Sequence, residues 1–358
     1  MFFNQLDPLA DDFSAAIEAV LTEIMADRRA EVVACNSALG PVVDLLTPLA
    51  LGGKHIRSAF CWWGYAAIAD QPSQSAGLLK LAASLDLIHA GLLAHDDLID
   101  QSETRRGRPS SHLAVAALAP GGDASLGLAG AVIGGSWLLQ WAQQAIDESG
   151  LELDQAARAD LNRLRTRVLA GQMADAWAAA GLPLLSGGQP LSPAATVGAI
   201  GELKTASYTV AGPTRLGALV AGAEAAQLAA LDVFGQAAGR AYQLRDDILG
   251  VFGDTEATGK PAGDDLRQGK KTLLVETALA GLSDRADLLT VIGNLSASPA
   301  QIDRAKQIII DCGALAVVEQ VIETELASAL QALSQSGLTQ AGRTGLTALA
   351  EICARRAC

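Results

Sequence analysis

Three carboxylates lie within five residues in the segment His95-Asp96-Asp97-Leu98-Ile99-Asp100, and three arginines follow within the next ten residues. Mg²⁺ takes oxygen ligands from carboxylates and phosphates, and guanidinium groups bind phosphate oxygens in a bidentate way. Packing alone gives no reason to place these two kinds of group side by side. The segment therefore predicts a site for a polyanion that is held by metal ions on one side and by Arg105, Arg106 and Arg108 on the other.

Helical geometry determines which of these carboxylates act together. On a helix, Asp96 and Asp100 share a face, whereas Asp97 points about 100° away. Like charges at this spacing repel one another, so we expect Asp96 and Asp100 to bind divalent cations and Asp97 to be secondary. The structural alternative is an exposed acidic helix end balanced by the arginines.

A second acidic pair, Asp246-Asp247, argues against that alternative, since it occurs 150 residues after the first. Apolar residues at helical spacing surround both motifs, so each motif is predicted to lie on a helix with one apolar and one acidic edge. Helical bundles build metal sites from such edges facing each other across a cavity. A metal-rich mouth above an apolar cavity suits a substrate with a diphosphate head and a hydrocarbon tail.

The elements that must position these residues are predicted to be helices. Half of the 358 residues are hydrophobic and 18% are charged, and segments rich in alanine and leucine are separated by glycine and proline breaks. No internal repeat or compositional linker is evident, so we expect one all-helical domain over residues 1–358. The net charge of −13 argues against a general nucleic-acid partner.

Compartment signals are few. The five cysteines include no C-x-x-C pair, and residues 1–10 lack the basic start of a signal peptide, so we expect a cytoplasmic protein. The most apolar run, Ala124–Leu139, is about 16 residues long and is shorter than a typical membrane span. We interpret it as a buried core helix and expect no transmembrane segment, with peripheral membrane contact as the alternative.

Six short blocks occur in order between about residues 50 and 275. They are Gly52-Gly53-Lys54-His55-Ile56-Arg57, Asp96 to Pro109, Gly171-Gln172-Met173-Ala174-Asp175, Lys204-Thr205, Tyr242 to Asp247, and Gly259 to Lys270. In this order they resemble the signature blocks of the trans-isoprenyl diphosphate synthases, the head-to-tail polyprenyl synthases, and among them the geranylgeranyl diphosphate synthases. One such block is weak evidence for the family, but six blocks in the same order are specific evidence.

The resemblance implies an isoprenoid synthase-type helical bundle around a central cavity, usually as a homodimer. It implies Mg²⁺-dependent condensation of isopentenyl diphosphate with an allylic diphosphate (dimethylallyl, geranyl or farnesyl). Three Mg²⁺ ions are implied, two bound by Asp96 and Asp100 and one by Asp246, with Asp175 nearby.

The same resemblance assigns the remaining site residues. Isopentenyl diphosphate is assigned to Lys54, Arg57, His89 and Arg106. The allylic diphosphate is assigned to Arg105, Lys204, Thr205, Gln243, Lys260 and Lys270. Asp247 is a further substrate-binding candidate, and the catalytic set is Asp96, Asp100, Asp246 and Lys204.

Two features depart from or refine the pattern. Gly250 stands where a D-D-x-x-D motif has its last aspartate, and Asp254, one turn further on, could contribute through water. Gly91 and Leu92 precede Asp96 by five and four residues, where short-chain enzymes often carry aromatics. The absence of an aromatic there predicts an open cavity floor and a C20 product, with longer chains as the alternative.

Two further functions compete with this interpretation. A terpene cyclase also uses an aspartate-rich motif, but it needs no second diphosphate site, and Lys54, Arg57 and Arg106 argue against it. A noncatalytic subunit of a heteromeric synthase usually lacks one acidic motif, whereas this chain has both.

Overall fold

The computed structural model describes residues 3–69, 75–253, 263–282, 285–334 and 337–356. The all-helical prediction is confirmed, since the strands in these residues form only two hairpins of two residues a side. The chain divides into two compact units. The first comprises Met1–Arg158, Pro213–Glu224 and Leu338–Leu349, and the second comprises Ala159–Gly212, Ala225–Gly337 and Ala350–Cys358. The expectation of one domain stays a prediction.

The helices and strands follow one another in a simple order. They are α1 (Asp11–Cys35), α2 (Gly40–Leu51), α3 (Ile56–Ala66), α4 (Ser75–Ile99), β1 (Thr104–Arg105), β2 (Arg108–Pro109), α5 (Ser111–Ala116), α6 (Ala124–Asp147), α7 (Gln155–Ala179), β3 (Leu185–Ser186), β4 (Gln189–Pro190), α8 (Pro193–Gly201), a π-helix (Glu202–Ala211), α9 (Gly212–Val220), α10 (Ala225–Phe252), α11 (Asp264–Arg267), α12 (Leu273–Gly281), α13 (Ala286–Leu289), α14 (Pro299–Asp311), α15 (Ala314–Ser334) and α16 (Gln340–Ala354). A short 3₁₀ turn, Ser37–Leu39, joins α1 to α2.

Helix α4 is the core of the first unit and carries the first acidic motif at its end. Sixteen of its 25 residues are buried, and α1, α2, α3, α5 and α6 all pack on it. A helix that is apolar on all sides must be enclosed on all sides. Among the described residues it is the one helix long and apolar enough to cross a membrane, and 72% of that apolar stretch is buried within the protein.

The crossing of α4 and α6 corrects one interpretation of the sequence. A Cβ on Gly91 would lie 2.8 Å from the carbonyl oxygen of Gly135, and a Cβ on Gly135 would lie 2.9 Å from that of Gly91. Both residues are glycine because the two backbones approach this closely. The absence of an aromatic at Gly91 therefore reflects helix packing and not an open cavity floor, so the argument about product length then depends on Leu92.

Helix α6 is also less buried than predicted. Its glycines at 127, 130 and 134 pack closely on α5 and α2, as the apolar run suggested. Leu128, Val132 and Ile133, however, are 53%, 45% and 51% exposed. The interpretation of Ala124–Leu139 as a buried core helix therefore holds only for the face of the helix that carries the glycines.

Helix α10 holds the second acidic motif within the second unit. Gly235 and Gly239 let it approach the π-helix, where a Cβ on either glycine would press on Ala211 or Ala206. Arg245 is buried and donates to both carboxylate oxygens of Glu319 on α15, at 2.8 and 2.6 Å. These contacts fix the rotation of α10 and hence the direction in which the motif points.

Two glycine-to-alanine substitutions test the close helix packing. A Cβ on Gly64 in α3 would lie 2.8 Å from the carbonyl carbon of Thr214, so Gly64→Ala is expected to destabilise the protein by about 1–3 kcal/mol through overpacking. Gly198 in α8 has no neighbour within 4 Å, so Gly198→Ala is expected to stabilise by up to about 1 kcal/mol. Thermal unfolding should give Tm shifts of opposite sign, and shifts of the same sign would contradict the packing.

Candidate functional site

The first acidic motif lies in the last turn of α4 and the cap that follows it. The amide of Asp100 bonds to the carbonyl of Asp96 at 2.8 Å, which keeps the two carboxylates on one face. Gln101 has a φ of +53°, and the amides of Gln101 and Ser102 bond back to Leu98 and Asp97 at 3.3 and 2.8 Å. This is a Schellman cap, which usually has glycine at the left-handed position.

Asp97 is buried and forms an ion pair with Arg105. Its side chain is 1% exposed, and it accepts hydrogen bonds from Arg105 at Nε (2.9 and 3.2 Å) and at a terminal nitrogen. Loss of solvation lowers the pKa of Arg105, but these hydrogen bonds and the nearby carboxylates raise it overall. The ion pair fixes the start of the β1–β2 hairpin against α4.

That hairpin directs Arg106 onto the G-G-K-x-x-R block. Arg106 and Gly107 occupy its turn with φ values of +53° and +72°, as a type I′ turn requires. Nη1 of Arg106 donates to the carbonyl of Leu49 at 3.1 Å. A Cβ on Gly52 or Gly53 would lie 2.6 or 2.8 Å from the guanidinium nitrogens. A side chain at either glycine would therefore displace the guanidinium of Arg106.

A buried triad that the sequence analysis missed anchors the same loop. Nδ1 of His55 and Oγ of Ser58 each lie 2.7 Å from Oδ2 of Asp86. Loss of solvation lowers the pKa of His55, but Asp86 raises it above its usual value overall. In the sequence, the one sign of this triad was the carboxylate of Asp86 within the apolar stretch of α4. The triad holds the loop that carries exposed Lys54 and the start of α3, where Arg57 is buried.

The charges of three arginines act on His89. Loss of solvation and then the charges of Arg57, Arg106 and Arg105 hold the pKa of His89 well below its usual value, so this imidazole is neutral at pH 7. The pKa of Arg106 is also lowered, mainly by loss of solvation and then by repulsion from the other two arginines, against the attraction of Asp86. Like charges brought this close are stabilised by a bound anion, and guanidinium groups suit phosphate oxygens.

In the second unit, the π-helix positions Lys204 and Thr205. Nζ of Lys204 donates to Oδ2 of Asp175 at 2.6 Å, and Gly171 leaves room for the backbone of Leu203 and Lys204. The G-Q-x-x-D and K-T blocks thus meet in space. π-Helical turns are rare and often occur at functional sites.

The two aspartates of the second motif differ in environment. Asp246 is exposed, and its Oδ1 lies 3.4 Å from Arg356, whose guanidinium carbon stacks 4.3 Å from the centre of the Tyr242 ring. Asp247 is buried and accepts a hydrogen bond from Nε2 of Gln243 at 2.6 Å. Burial, opposed by that bond, raises the pKa of Asp247 well above its usual value, and neighbouring carboxylates raise it further. Arg356 had no assigned role in the sequence analysis.

Both acidic motifs fit Mg²⁺ by their donor chemistry. Across the described residues, no three His, Cys, Asp or Glu side chains form a ready metal cage. Mg²⁺ does not need one, because it keeps several waters and takes one or two carboxylates together with substrate phosphates. In the second unit, Oε1 of Gln243 is buried and finds no hydrogen-bond donor within the described part of the chain. An acceptor of this kind suits a hydrated cation.

The structure thus places the predicted site residues in two groups. Lys54, Arg57, His89, Asp96, Asp100, Arg105 and Arg106 lie in the first unit. Asp175, Lys204, Thr205, Gln243, Asp246, Asp247 and Lys270 lie in the second. Lys260 and Asp254 lie outside the described residues.

Comparison with known proteins adds a family and several relatives. The family profile for polyprenyl synthetase matches residues 42–309. A geranylgeranyl diphosphate synthase of Mycobacterium tuberculosis is 30% identical over 323 residues, which are 88% of this chain and 83% of the relative. A geranylfarnesyl diphosphate synthase of Aeropyrum pernix is 33% identical over 293 residues, 80% of each chain.

A solved structure matches nearly the whole fold. It is the geranylgeranyl pyrophosphate synthase of Corynebacterium glutamicum complexed with isoprenyl diphosphate and magnesium. The TM-score is 0.88 at 33% identity, over 97% of this chain and 99% of that one. The predicted isoprenoid synthase-type fold is confirmed.

The raised pKa of Asp247 predicts a gain of stability on neutralisation. The charged form of this carboxyl is disfavoured in the folded chain, so its cost is absent at acidic pH and grows as the pH rises above the ordinary value of 3.8. Asp247→Asn is therefore expected to raise the Tm of the metal-free protein by a few degrees at pH 8 and by less at pH 4.

A matched control exists for this substitution. Gln307 donates to Asp311 with the same four-residue spacing, at 2.8 Å, but both residues are exposed. Asp311→Asn should leave the Tm unchanged at both pH values. A Tm for Asp247→Asn at or below that of the wild type at pH 8 would contradict the predicted effect.

Proposed function

The chain belongs to the polyprenyl synthetase family and is a trans-prenyltransferase, and we propose that it condenses isopentenyl diphosphate with an allylic diphosphate to give geranylgeranyl diphosphate. The observation that carries this proposal is that the charges of three arginines act on His89, which lies about two helical turns before Asp96 on α4. The arginine cluster, which we call the positive pocket, suits one diphosphate. The neighbouring carboxylate pair suits a second diphosphate that is bound through metal ions.

We assign isopentenyl diphosphate to the positive pocket of the first unit. Arg57 and Arg106 supply fixed charge, and neutral His89 supplies a hydrogen bond without further repulsion. Exposed Lys54 supplies a charge from the loop that the His55–Asp86 contact anchors. Asp97 takes up two of the three guanidinium nitrogens of Arg105, and the remaining nitrogen is proposed for the allylic diphosphate.

The family resemblance assigns the allylic diphosphate to residues around the second acidic motif and to Arg105. Asp96, Asp100 and Asp246 would hold three Mg²⁺ ions, which supply positive charge to the departing diphosphate. The side chains proposed to bind its oxygens are Arg105, Lys204, Thr205, Gln243, Lys260 and Lys270. Asp175 fixes Lys204 through the 2.6 Å contact, which limits the directions in which its ammonium can point.

The reaction then needs orientation and charge more than a protein base. The allylic carbon–oxygen bond breaks, and the isopentenyl double bond attacks the resulting cation to form the new carbon–carbon bond. In the family the released diphosphate takes the proton lost from the isopentenyl unit. Fixed cations around both diphosphates stabilise this charge separation at little reorganisation cost.

A radiolabel assay tests the activity. We expect the purified chain to consume isopentenyl diphosphate with Mg²⁺ and with at least one of dimethylallyl, geranyl and farnesyl diphosphate. Asp96→Ala and Asp246→Ala should each lower the rate by about 10²-fold or more, because each removes a ligand that stabilises the transition-state charge. Asp311→Ala, an exposed carboxylate on α14, is the control and should keep the wild-type rate. A folded chain that is inactive with all three primers would favour the noncatalytic subunit.

Product length is proposed from Leu92 and from the relatives. The M. tuberculosis and C. glutamicum relatives are named for the C20 product, and the A. pernix relative for a longer one. Leu92 is a buried aliphatic residue one turn before Asp96, at a position where an aromatic would shorten the cavity. The proposed main product is therefore C20, with longer chains as the alternative.

Chromatography of dephosphorylated products tests the length. The wild type should give mainly C20, and Leu92→Phe should shift the main product to C15 because the ring fills the space that the growing chain needs. A wild-type product that is chiefly C15 would refute the proposal. Leu92→Met, which keeps the volume, is the control and should leave the distribution unchanged.

We also propose that two copies associate as a homodimer. The apolar side chains of Leu128, Val132 and Ile133 are about half exposed on α6, and a second copy would bury them. Light scattering should give twice the chain mass of 36.7 kDa. Val132→Asp with Ile133→Asp should shift the mass to that of one chain, and an unchanged dimer would exclude this face.

A further inference from the structure

A histidine lies between two carboxylates in the turn that leads from the G-G-K loop into α3. His55 is 4% exposed and has a φ of +49°. Its Nδ1 lies 2.7 Å from Oδ2 of Asp86 on α4, and its Nε2 lies 3.7 Å from Oε1 of Glu18 on α1. The first distance is a hydrogen bond, and the second is too long for one but short enough for attraction between charges.

Both carboxylates favour the protonated form of this histidine. Loss of solvation lowers the pKa of His55, but the hydrogen bond and charge of Asp86 and the charge of Glu18 raise it overall. The positive charge is therefore fully present below the ordinary pKa of 6.5 and is lost as the pH rises through the raised value. The other charged groups of this region are cations, namely Lys54, Arg57 and Arg106.

The buried carboxylate of Asp86 acts on a second cation as well. Loss of solvation is the main effect on the pKa of Arg106, and the attraction of Asp86 is the largest effect of any charge on it. The Arg106 guanidinium lies against Gly52 and Gly53, two and three residues before His55. Asp86 can thus neutralise either His55 or Arg106. When it offsets the charge of Arg106, it competes with any diphosphate that this arginine binds.

Ser58 holds the carboxylate of Asp86 on the side of the histidine. Its Oγ lies 2.7 Å from the same Oδ2 atom that His55 contacts, and 2.9 Å from the carbonyl oxygen of Ala82, one turn earlier on α4. These contacts orient Asp86 toward α3. When His55 is protonated, the charge of Asp86 is matched at hydrogen-bond distance, and Arg106 keeps its charge for an anion.

We propose that His55 is a positioning residue for isopentenyl diphosphate: its imidazolium pairs with Asp86 and thereby leaves the charge of Arg106 available to the diphosphate. The inference rests on the proposed function, because it concerns the positive pocket to which isopentenyl diphosphate is assigned. Loss of the proton from His55 leaves the charge of Asp86 uncompensated. Affinity for isopentenyl diphosphate therefore contains a contribution that disappears as the pH rises above the ordinary histidine range.

Binding of isopentenyl diphosphate alone tests this role without the reaction. His55→Asn keeps an amide donor for Asp86 and a residue type that tolerates left-handed backbone, but it carries no charge. Calorimetric titration of the full chain, without metal or allylic primer, should show about 10-fold weaker binding in His55→Asn than in the wild type at pH 6. At pH 9 the two chains should agree within about twofold, because the wild-type histidine has then lost its proton.

The ratio of the two affinities at each pH is the quantity that decides. Titration of the ligand phosphates and of other groups changes the affinity of both chains alike, so the ratio reports the charge of His55. A ratio that is the same at pH 6 and pH 9 would overturn the proposal, since a purely structural role of the ring would give that result.

A second substitution separates competition by Asp86 from damage to the loop. Adding Asp86→Asn to His55→Asn removes the carboxylate that would otherwise offset Arg106, so the affinity at pH 6 should return to within about threefold of the wild type. If the pair only anchored the loop, loss of both partners would leave binding as weak as in His55→Asn. Failure to recover overturns the proposal, and thermal unfolding at pH 6 checks that both variants are folded.

An exposed ion pair of the first unit gives a matched control. Asp44 on α2 accepts hydrogen bonds from Arg29 on α1 at 2.6 and 3.0 Å, and both side chains are about half exposed. In the His55→Asn background, Asp44→Asn changes the net charge by the same amount as Asp86→Asn, but it should recover no affinity. Equal recovery in both would reduce the effect to net charge and overturn the proposal.

The outcomes for the two proposals remain distinct. A chain that condenses isopentenyl diphosphate, but whose His55→Asn variant binds it as well as the wild type at pH 6, overturns the role of His55 alone. A wild-type chain that does not condense the substrates overturns the proposed function, whatever the calorimetric ratio.

Discussion

Mutual repulsion among the guanidinium groups of Arg57, Arg105 and Arg106 is the constraint on which the first unit depends. Each of these charges acts on His89, and their repulsion is strengthened where water is excluded. Arg105 is neutralised in part by buried Asp97, whereas Arg106 is held over two glycines that leave it room. The fold therefore keeps positive charge in one place before any anion arrives.

Backbone strain accompanies this arrangement. The described residues include three non-glycine positions with positive φ, namely His55, Gln101 and Arg106. All three lie in the G-G-K loop or in the segment after the first acidic motif. Left-handed conformations cost free energy at such residues and persist where surrounding contacts determine them. Here the His55–Asp86 contact, the α4 cap and the hairpin turn provide those contacts, so part of the folding free energy maintains the site.

Sequence reasoning reached the helices and the site blocks because both depend on local spacing. Periodicity placed the acidic motifs on α4 and α10, and the order of six blocks indicated the family and the fold. Contacts between distant residues were out of reach. Asp86 bonds a histidine 31 residues away, and Arg356 reaches the second motif from 110 residues away. Gly91 was misinterpreted for the same reason, since its partner Gly135 lies on α6.

The titration of His89 tests the central claim, namely that a converged positive pocket is completed by a diphosphate. Proton NMR, with the His89 imidazole signals assigned by their loss in a His89→Gln variant, gives its pKa with and without inorganic diphosphate in metal-free solution. We predict a pKa below the ordinary value of 6.5 in the free protein and a clear rise when diphosphate binds, because the anion cancels the arginine charges. An ordinary pKa in the free protein, or no change with saturating diphosphate, would contradict the account.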